Sequence, residues 1–276
     1  MERKLYISDL HLGHINVTKA GRDFDNRPFN DLAEMHETIK RKWNNAVSSA
    51  DHVYILGDLV WKLSQNNAEE WYNYIKSLNG NKHWILGNHD ERLLTSSQKT
   101  SFWRSKFQHL FDEIVDYKEV VDEIDGKETR VILSHYYMPF YNHHYRNAVM
   151  LHGHSHNSAE SEMERRLTAM LNRQGYPCKI YNVGCMYPYI DYAPRTLQFI
   201  FENFEEMKNY GRTEREDFFE DVAQALVDYH AQHSQLRFGQ TIVNLLGEDP
   251  FYMPDKEAIK KICSKIDNHS EITNKY

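Results

Sequence analysis

Residues 5–11, Leu-Tyr-Ile-Ser-Asp-Leu-His, form a short apolar run that ends in an acid and a histidine. A run of this kind, apolar on both faces, is typical of a buried strand in an α/β sheet. Asp9 and His11 follow it two residues apart, and in an extended chain such residues project to the same side. The stretch therefore predicts a strand whose carboxyl end carries two polar side chains aimed at one point.

Similar apolar runs recur through the first 200 residues. The predicted strands are residues 5–8, 53–56, 84–86, 131–133, 149–151 and 180–183. Between the first two lies an amphipathic helix that Asn30 or Asp31 can cap, and a second helix is predicted over residues 68–78. This alternation predicts an α/β layered domain. In such sheets ligands bind beyond the carboxyl ends of the strands, so several strand ends would meet at one crevice.

Polar clusters follow five of these strands and supply candidate metal ligands. The ligand set is Asp9, His11, Asp58, Asn88, His135, His154 and His156. Seven ligands exceed the four that a tetrahedral ion takes, and they suit two ions roughly 3.5–4 Å apart that share a carboxylate. Nitrogen and oxygen donors without thiolate favour Mn, Fe, Zn or Co. Two such ions would make the pocket cationic, which favours an anionic substrate such as a phosphate ester.

Composition excludes several other classes of protein. The 276 residues carry a net charge of −7, and most of the excess acid lies after residue 200. We therefore expect no extended nucleic acid as a partner, because backbone binding uses broad basic surfaces. No apolar run approaches the roughly 18 residues of a spanning helix, and the N-terminus does not resemble a signal peptide, so we expect a cytoplasmic protein without membrane contact. The three cysteines show no metal-ligand spacing, which argues against a disulfide framework or a thiolate zinc site.

No strand is predicted after residue 201, and the spacing of apolar residues in the tail predicts helices. Helices are predicted over residues 214–230, 241–246 and 256–266. We therefore expect a main domain over residues 1–200 and a helical C-terminal extension over residues 201–276. A charged segment, Ala159–Arg173, is predicted to be a surface helix inserted between the later strands, with residues 160–166 on a solvated face. The sequence leaves the roles of the tail and the insertion open, as well as the oligomeric state.

The ordered motifs resemble a known family. Asp9-x-His11, Gly57-Asp58, Gly87-Asn88-His89-Asp90, His135 and Gly153-His154-x-His156 are similar to the five-part signature of calcineurin-like metallophosphoesterases. Residues 25–29 and 181–186 resemble an uncharacterised bacterial and phage branch of it. The resemblance implies two mixed β-sheets sandwiched between helices, with a di-metal centre at the sheet edge. It also implies one ion on Asp9, His11, Asp58 and His156, and a second on Asp58, Asn88, His135 and His154.

A reaction follows from this resemblance and from charge. We expect a binuclear phosphoesterase that hydrolyses a small, nucleotide-like monoester or diester by attack of a metal-bridging hydroxide, with manganese supporting activity. His89 is the candidate acid that protonates the leaving oxygen, and Asp90 is expected to hold its other ring nitrogen. His14, Arg22 and Arg27 are weaker candidates for contact with the substrate phosphate.

Two alternatives remain at this stage. The chain could be a non-catalytic scaffold that keeps the metallophosphoesterase fold and docks partners through its helical tail. It could also be a nuclease on long DNA or RNA, although the near-neutral main domain and the acidic tail argue against this hypothesis, since polymer binding normally uses clustered Lys and Arg.

Overall fold

The strands of the computed structural model form two sheets. In chain order they are β1 (Lys4–Ile7), β2 (His52–Leu56), β3 (Asn81–Ile85), β4 (Glu113–Val115), β5 (Lys118–Ile124), β6 (Lys127–Leu133), β7 (Val149–His152), β8 (Lys179–Asn182) and β9 (Arg195–Thr196). The first sheet has the order β4-β3-β2-β1-β9, and the second has the order β5-β6-β7-β8. Each sheet is mixed, because β9 runs antiparallel to β1 and β5 runs antiparallel to β6, whereas the other neighbours are parallel.

The helices lie along the chain between and after these strands. They are α1 (Leu32–Ala46), α2 (Ala68–Lys76), α3 (Ala159–Arg173) and α4 (Leu197–Phe204). Asp31 caps α1 by accepting a hydrogen bond from the Glu34 backbone N–H, which satisfies one of the donors that a helix start leaves unpaired. Three short 3₁₀ turns, Ile15–Val17, Gln108–Leu110 and His144–Arg146, also lie among the described residues.

The structure describes residues 2–19, 25, 27–62, 66–90, 106–204, 226–227, 229–231 and 235. The chain divides into two compact units, residues 1–207 and 208–276, and every element named above lies in the first. Among the described residues no helix is both long and apolar enough to cross a lipid bilayer. Most of the predicted tail helices lie outside the described residues.

The alternation of side chains between the two faces of the central strands explains the layered arrangement of sheets and helices. Val149 and Leu151 of β7 belong to the main core, together with β1, β2 and the Trp43 face of α1. Met150, between them, faces a second core that includes Leu171 of α3. Because successive side chains of a strand point to opposite faces, the sheets pack against each other and carry helices outside. The predicted αββα arrangement is confirmed for the first unit.

The predicted central strands are present, with shifts of a few residues at some ends. β5 was not predicted, because its sequence, Lys118–Ile124, is rich in charge, and none of its positions is fully buried. The antiparallel pairing with β6 and the tight turn at Asp125 and Gly126, both with positive φ, place this polar strand at the sheet edge.

Candidate metal centre

The ends of β1 and β8 are joined at the rim that carries the polar residues. The Ser8 backbone N–H donates to the Val183 carbonyl at 2.9 Å, and the Cys185 N–H donates to the Ser8 carbonyl at 2.9 Å. The two sheets are thereby fastened directly beside Asp9. Strand ends of both sheets therefore open onto one rim.

Four side chains at this rim form a first ligand group. One oxygen or nitrogen from each of Asp9, His11, Asp58 and His156 lies within 4.8 Å of the others, and all four residues are buried. His11 Nε2 lies 3.0 Å from His156 Nε2 and 3.4 Å from Asp58 Oδ2. His156 Nε2 lies 3.6 Å from Asp9 Oδ1. The four residues are those that the family resemblance assigned to one ion.

A second group uses the other oxygen of Asp58. Asn88 Oδ1 lies 3.0 Å from both His135 Nε2 and His154 Nδ1. His135 Nε2 also lies 3.6 Å from Asp58 Oδ1. Asp58 thus presents Oδ2 to the first group and Oδ1 to the second, and its carboxylate lies between them.

The donor separations fit a bound cation. Two donors about 2.0–2.1 Å from one ion lie about 2.8–3.4 Å apart when their bond angle is between about 90° and 109°. The separations between neighbouring donors here run from 3.0 to 3.6 Å. Burial raises the pKa of Asp58, and the nearby Asp90 and Asp9 carboxylates raise it further. A cation at this position would therefore stabilise the ionised form of Asp58.

Contacts on the far side of two histidine rings turn their ligand nitrogens toward the groups. His135 Nδ1 lies 2.8 Å from the Leu56 carbonyl, so it carries the proton and leaves the Nε2 lone pair facing Asn88. His156 Nδ1 lies 3.1 Å from Asp25 Oδ2, which leaves its Nε2 facing His11. A carboxylate behind a ligating histidine is a common support of metal sites.

Asp25 and Arg27 form a buried pair beneath the first group. Arg27 Nε donates to Asp25 Oδ2 at 2.7 Å, while Nη1 and Nη2 donate to the Leu10 and Asp9 carbonyls at 2.9 and 2.8 Å. The Arg27 side chain is 0% exposed. The structure therefore does not support its predicted contact with substrate: its donors hold the loop that carries Asp9. Sequence reasoning missed the Asp25 contact with His156, although the two-residue spacing of Asp25 and Arg27 offered a signal.

Two glycines allow the strand ends to approach each other closely. A Cβ on Gly57 would lie 2.2 Å from His135 Nδ1, and one on Gly87 would lie 2.3 Å from Asp58 Oδ1. Both separations are too short for any side chain. The glycines predicted to admit a ligand thus serve first to let the ligand residues approach each other.

Several candidate ligands hold unusual backbone conformations. Positive φ angles occur at Asp9 (57°), His11 (47°), Asp58 (51°), His154 (70°) and His156 (49°). The left-handed region is uncommon for residues other than glycine, and it costs of order 1–3 kcal/mol where the surroundings enforce it. Such strain clusters at functional sites. The extended backbone predicted for Asp9 and His11 is therefore wrong, because both residues reach the rim in left-handed conformations.

Asp90 lies behind the ligands and holds backbone. Its Oδ2 accepts from the Asp58 N–H at 2.7 Å and from the Gly87 N–H at 2.9 Å, and its Oδ1 accepts from the Leu59 N–H at 3.2 Å. The Trp84 indole N–H also donates to Oδ2 at 3.2 Å. Both carboxylate oxygens are therefore engaged by other donors, which favours a positioning role over the predicted one of orienting the His89 ring.

His89 itself faces the first group. Its Nε2 lies 3.7 Å from Asp58 Oδ2, and its backbone N–H donates to Asp58 Oδ1 at 3.0 Å. About a quarter of its side chain is exposed (27%). The ring thus lies where the ligand groups meet solvent, and its role as an acid stays a prediction.

His14 and Trp61 form an aromatic wall beside the first group. Their rings stack at 3.8 Å with an interplanar angle of 10°, and the Trp61 ring also meets His89 edge-on at 4.5 Å. Burial lowers the pKa of His14 to about 4, so the ring is neutral near pH 7. Sequence reasoning missed Trp61, three residues after Asp58. Arg22 lies outside the described residues.

The inserted helix α3 also reaches the site. Glu164 Oε2 accepts a 2.6 Å hydrogen bond from Ser155 Oγ, between His154 and His156. Ser155 Oγ in turn accepts from Asn182 Nδ2 at 3.0 Å. The prediction that residues 160–166 form a solvated face is therefore wrong at Glu164, which braces the loop that carries two candidate ligands.

The sequence of most of the first unit matches the model of a protein family. The model of the calcineurin-like phosphoesterases matches residues 3–183, which include every candidate ligand. The chain belongs to the calcineurin-like phosphoesterase family. The resemblance drawn from the five motifs is confirmed at this level.

Relatives of this calcineurin-like chain come from an archaeon and a phage. An uncharacterized protein of Methanocaldococcus jannaschii is 44% identical over 90 residues, which are 32% of this chain and 48% of that protein. The gene 66 protein of Mycobacterium phage L5 is 26% identical over 172 residues, 56% of this chain and 78% of the phage protein. The match therefore spans about half the length of the archaeal relative.

A solved structure is similar to the calcineurin-like fold described here. It is a protein of unknown function from Aquifex aeolicus, with a TM-score of 0.50 and 22% identity, and the match covers 73% of this chain and 99% of that chain. At this identity the likeness concerns the fold alone.

Proposed function

We propose that this protein is a metal-dependent phosphoesterase that hydrolyses a small phosphate monoester or diester. The observation that carries the proposal is the position of Asp58, whose two carboxylate oxygens face two different groups of donors. A carboxylate shared in this way suits a pair of cations. The catalytic domain is residues 1–200, and the cytoplasm is the compartment that we propose.

The two donor groups would hold the cations that the family requires. Asp9, His11, Asp58 and His156 would hold one, and Asn88, His135 and His154 would hold the other together with Asp58. When bound, two divalent ions would supply activation of water and neutralisation of phosphate charge. Imidazole, carboxylate and amide donors admit Mn, Fe, Zn or Co, and we propose manganese as the activating ion.

His89 would supply the proton that the leaving oxygen requires. Its Nε2 faces Asp58 Oδ2 at 3.7 Å, and the Trp61 and His89 rings contact each other with their centroids 4.5 Å apart. A histidine held at the mouth of a buried polar site can donate a proton near neutral pH. General acid catalysis of this kind typically contributes 10²–10⁴-fold to a rate.

An aromatic ring at the rim suits a nucleotide-like substrate. Tyr136 is 39% exposed, and its ring lies 5.1 Å from the His135 ring and 5.0 Å from the His154 ring. An exposed ring beside a phosphate site can stack on a flat base or another aromatic leaving group. This position supports a nucleotide-like ester as the substrate.

The test is turnover of two chromogenic esters. Purified protein loaded with Mn²⁺ is expected to hydrolyse bis-p-nitrophenyl phosphate, p-nitrophenyl phosphate or both. His89→Ala should lower kcat by about 10²–10⁴-fold while the Mn²⁺ content is unchanged. His109→Ala, which removes an exposed imidazole outside the candidate ligand groups, is the matched control and should keep full activity.

The outcomes separate the candidate functions. Protein that holds Mn²⁺ but turns over neither ester would contradict the proposal and favour a non-catalytic scaffold. Full activity in His89→Ala would leave the phosphoesterase intact and overturn the assignment of the acid. Degradation of plasmid DNA that weakens steeply with salt would favour a nuclease.

A further inference from the structure

A second cluster of histidines lies at the opposite end of the first sheet. His52 begins β2, His83 lies in β3, and Asp112 immediately precedes β4. His52 lies four positions and His83 two positions before the last residue of its strand, so at a rise of about 3.3 Å per residue they lie about 13 and 7 Å along the strands from the rim. Nothing in the proposed phosphoesterase mechanism uses these side chains.

The two imidazoles face each other at short range. His52 Nδ1 lies 2.7 Å from His83 Nε2. The parallel register pairs His52 with Asn81, and thus places His83 two residues along the neighbouring strand on the same face. Adjacent strands therefore bring one nitrogen of each ring to the same point.

Carboxylates fix the tautomer of both rings from behind. Glu2 Oε1 lies 2.7 Å from His52 Nε2, and Glu113 Oε1 lies 2.9 Å from His83 Nδ1. A carboxylate only accepts, so each of these outer nitrogens carries a proton. In the neutral rings both inner nitrogens, His52 Nδ1 and His83 Nε2, then present lone pairs to each other. Two lone pairs 2.7 Å apart require a cation between them.

Asp112 supplies a third donor at the same point. Its Oδ2 lies 3.6 Å from His83 Nε2 and 3.9 Å from His52 Nδ1. A single proton would satisfy only the two nitrogens, whereas a metal ion would use the carboxylate as well. The Asp112 side chain is 51% exposed, so an ion can enter and water can complete its coordination.

We propose that His52, His83 and Asp112 bind a single borderline divalent cation of the Zn²⁺ class, apart from the catalytic centre. Two imidazoles and one carboxylate suit Zn²⁺, Ni²⁺ or Cu²⁺ far better than Mn²⁺. Protein ligands that hold Zn²⁺ lie about 3.3–3.4 Å apart in tetrahedral geometry, so the two nitrogens would separate by about 0.7 Å on binding. Carboxylates behind both rings match the support that ligating histidines commonly have.

An ion at this position would connect three segments of the first sheet. His52 and His83 belong to neighbouring strands, and the Asp112 backbone N–H donates to the Lys82 carbonyl at 2.8 Å. The cation would therefore tie β2 and β3 to the start of β4. Since a ligand that binds only the folded state stabilises it, Zn²⁺ should raise Tm through this site.

The test counts Zn²⁺ on the full chain. Protein stripped with EDTA is dialysed against micromolar Zn²⁺, and the bound metal is measured by elemental analysis. The double variant His52→Gln/His83→Gln is expected to hold one equivalent of Zn²⁺ fewer per chain than the unsubstituted protein. The control His109→Gln, which removes an exposed imidazole, should hold the full number. Hydrolysis of the chromogenic esters with Mn²⁺ should be the same in all three proteins.

Further variants keep the test decisive if the double variant does not fold. Asp112→Asn changes an exposed side chain and should also bind one equivalent of Zn²⁺ fewer per chain. Glu113→Gln should weaken Zn²⁺ binding by about 10–100-fold. The rise in Tm on adding Zn²⁺ should be smaller in each than in the control. Equal Zn²⁺ content in the unsubstituted protein and in a folded Asp112→Asn or double variant would overturn the proposal. It would indicate that a proton joins the two imidazoles.

Discussion

At the scale of single residues, the candidate metal centre depends on side chains that position its ligands and need not contact substrate themselves. Arg27 donates to the Asp9 and Leu10 carbonyls within the first motif and pairs with Asp25. Asp25 in turn contacts the back of the His156 ring. Burial alone would raise the pKa of Asp25, but the contacts with His156 and Arg27 outweigh it and leave this pKa below its usual value. Asp25 is therefore an ionised carboxylate that orients a candidate ligand.

Replacing Asp25 tests this role. Asp25→Asn should lower the affinity for the catalytic metal by about 10–100-fold, because the amide cannot hold the His156 tautomer as firmly as the carboxylate. Metal titration followed by elemental analysis or by activity at increasing Mn²⁺ measures the change. Asp116→Asn, at an exposed position, is the control. Activity restored at high Mn²⁺ is the expected pattern, and unchanged Mn²⁺ dependence would contradict the positioning role.

At the scale of elements, the centre exists because strand ends from two sheets meet. β1 ends beside β7 and β8, and Gly153, which follows β7, packs against the end of β1. A Cβ on Gly153 would lie 1.8 Å from Ser8 Oγ and 2.5 Å from Asp9 Oδ2. The His154 backbone N–H also contacts both oxygens of Asp9 at 3.2 Å. The contacts of Gly153 and His154 with Asp9 therefore join the two sheets and also position a candidate ligand.

A methyl group at Gly153 should force this junction apart. Gly153→Ala is expected to destabilise the protein by about 1–3 kcal/mol, as overpacking does, and to abolish metal binding, because Asp9 must move. Thermal unfolding and elemental analysis measure the two effects. Gly126→Ala is the control: its Cβ meets nothing within 4 Å, and only the positive φ of 72° opposes it. This control should lose about 1–2 kcal/mol and keep its metal. A Gly153→Ala protein with full metal content would contradict the close approach.

At the scale of the whole molecule, stability against acid involves a contact far from the centre. Asp51, in the turn before β2, accepts hydrogen bonds from the Arg3 side chain and from the Ser48 backbone N–H. The Arg3 guanidinium, chiefly by hydrogen bonding, holds the pKa of Asp51 well below its usual range. The folded protein thus binds this proton more weakly than the unfolded chain does.

The sign of the pH dependence follows from this shift. The ionised Asp51 contributes its full stability above the unfolded pKa of about 3.9, and this is lost as pH falls through the folded-state pKa. Asp51→Asn should therefore lower the free energy of unfolding by about 1–3 kcal/mol at neutral pH, with a smaller difference below about pH 3. Urea unfolding at both pH values measures it, with Asp116→Asn as control. A difference that grows in acid would refute the assignment.

The sequence by itself determined the fold class and the ligand types. The apolar runs, their order and the polar residues after each run sufficed to predict an α/β layered domain and seven candidate ligands, whereas the two sheets were implied by the family resemblance. These features are local, because a strand and its terminal side chains are written in consecutive residues. The same local reasoning failed at Glu164, whose charged surroundings in sequence gave no sign of its contact with Ser155.

Only the tertiary structure decided which side chains and backbone groups contact each other. It turned Arg27 inward, engaged both oxygens of Asp90 with backbone N–H groups and brought Trp61 against His14. It also paired His52 with His83, 31 residues apart. Hydrogen bonds and ring contacts depend on distances of a few ångströms between segments remote in sequence, and sheet register and the packing of the two sheets fix those distances.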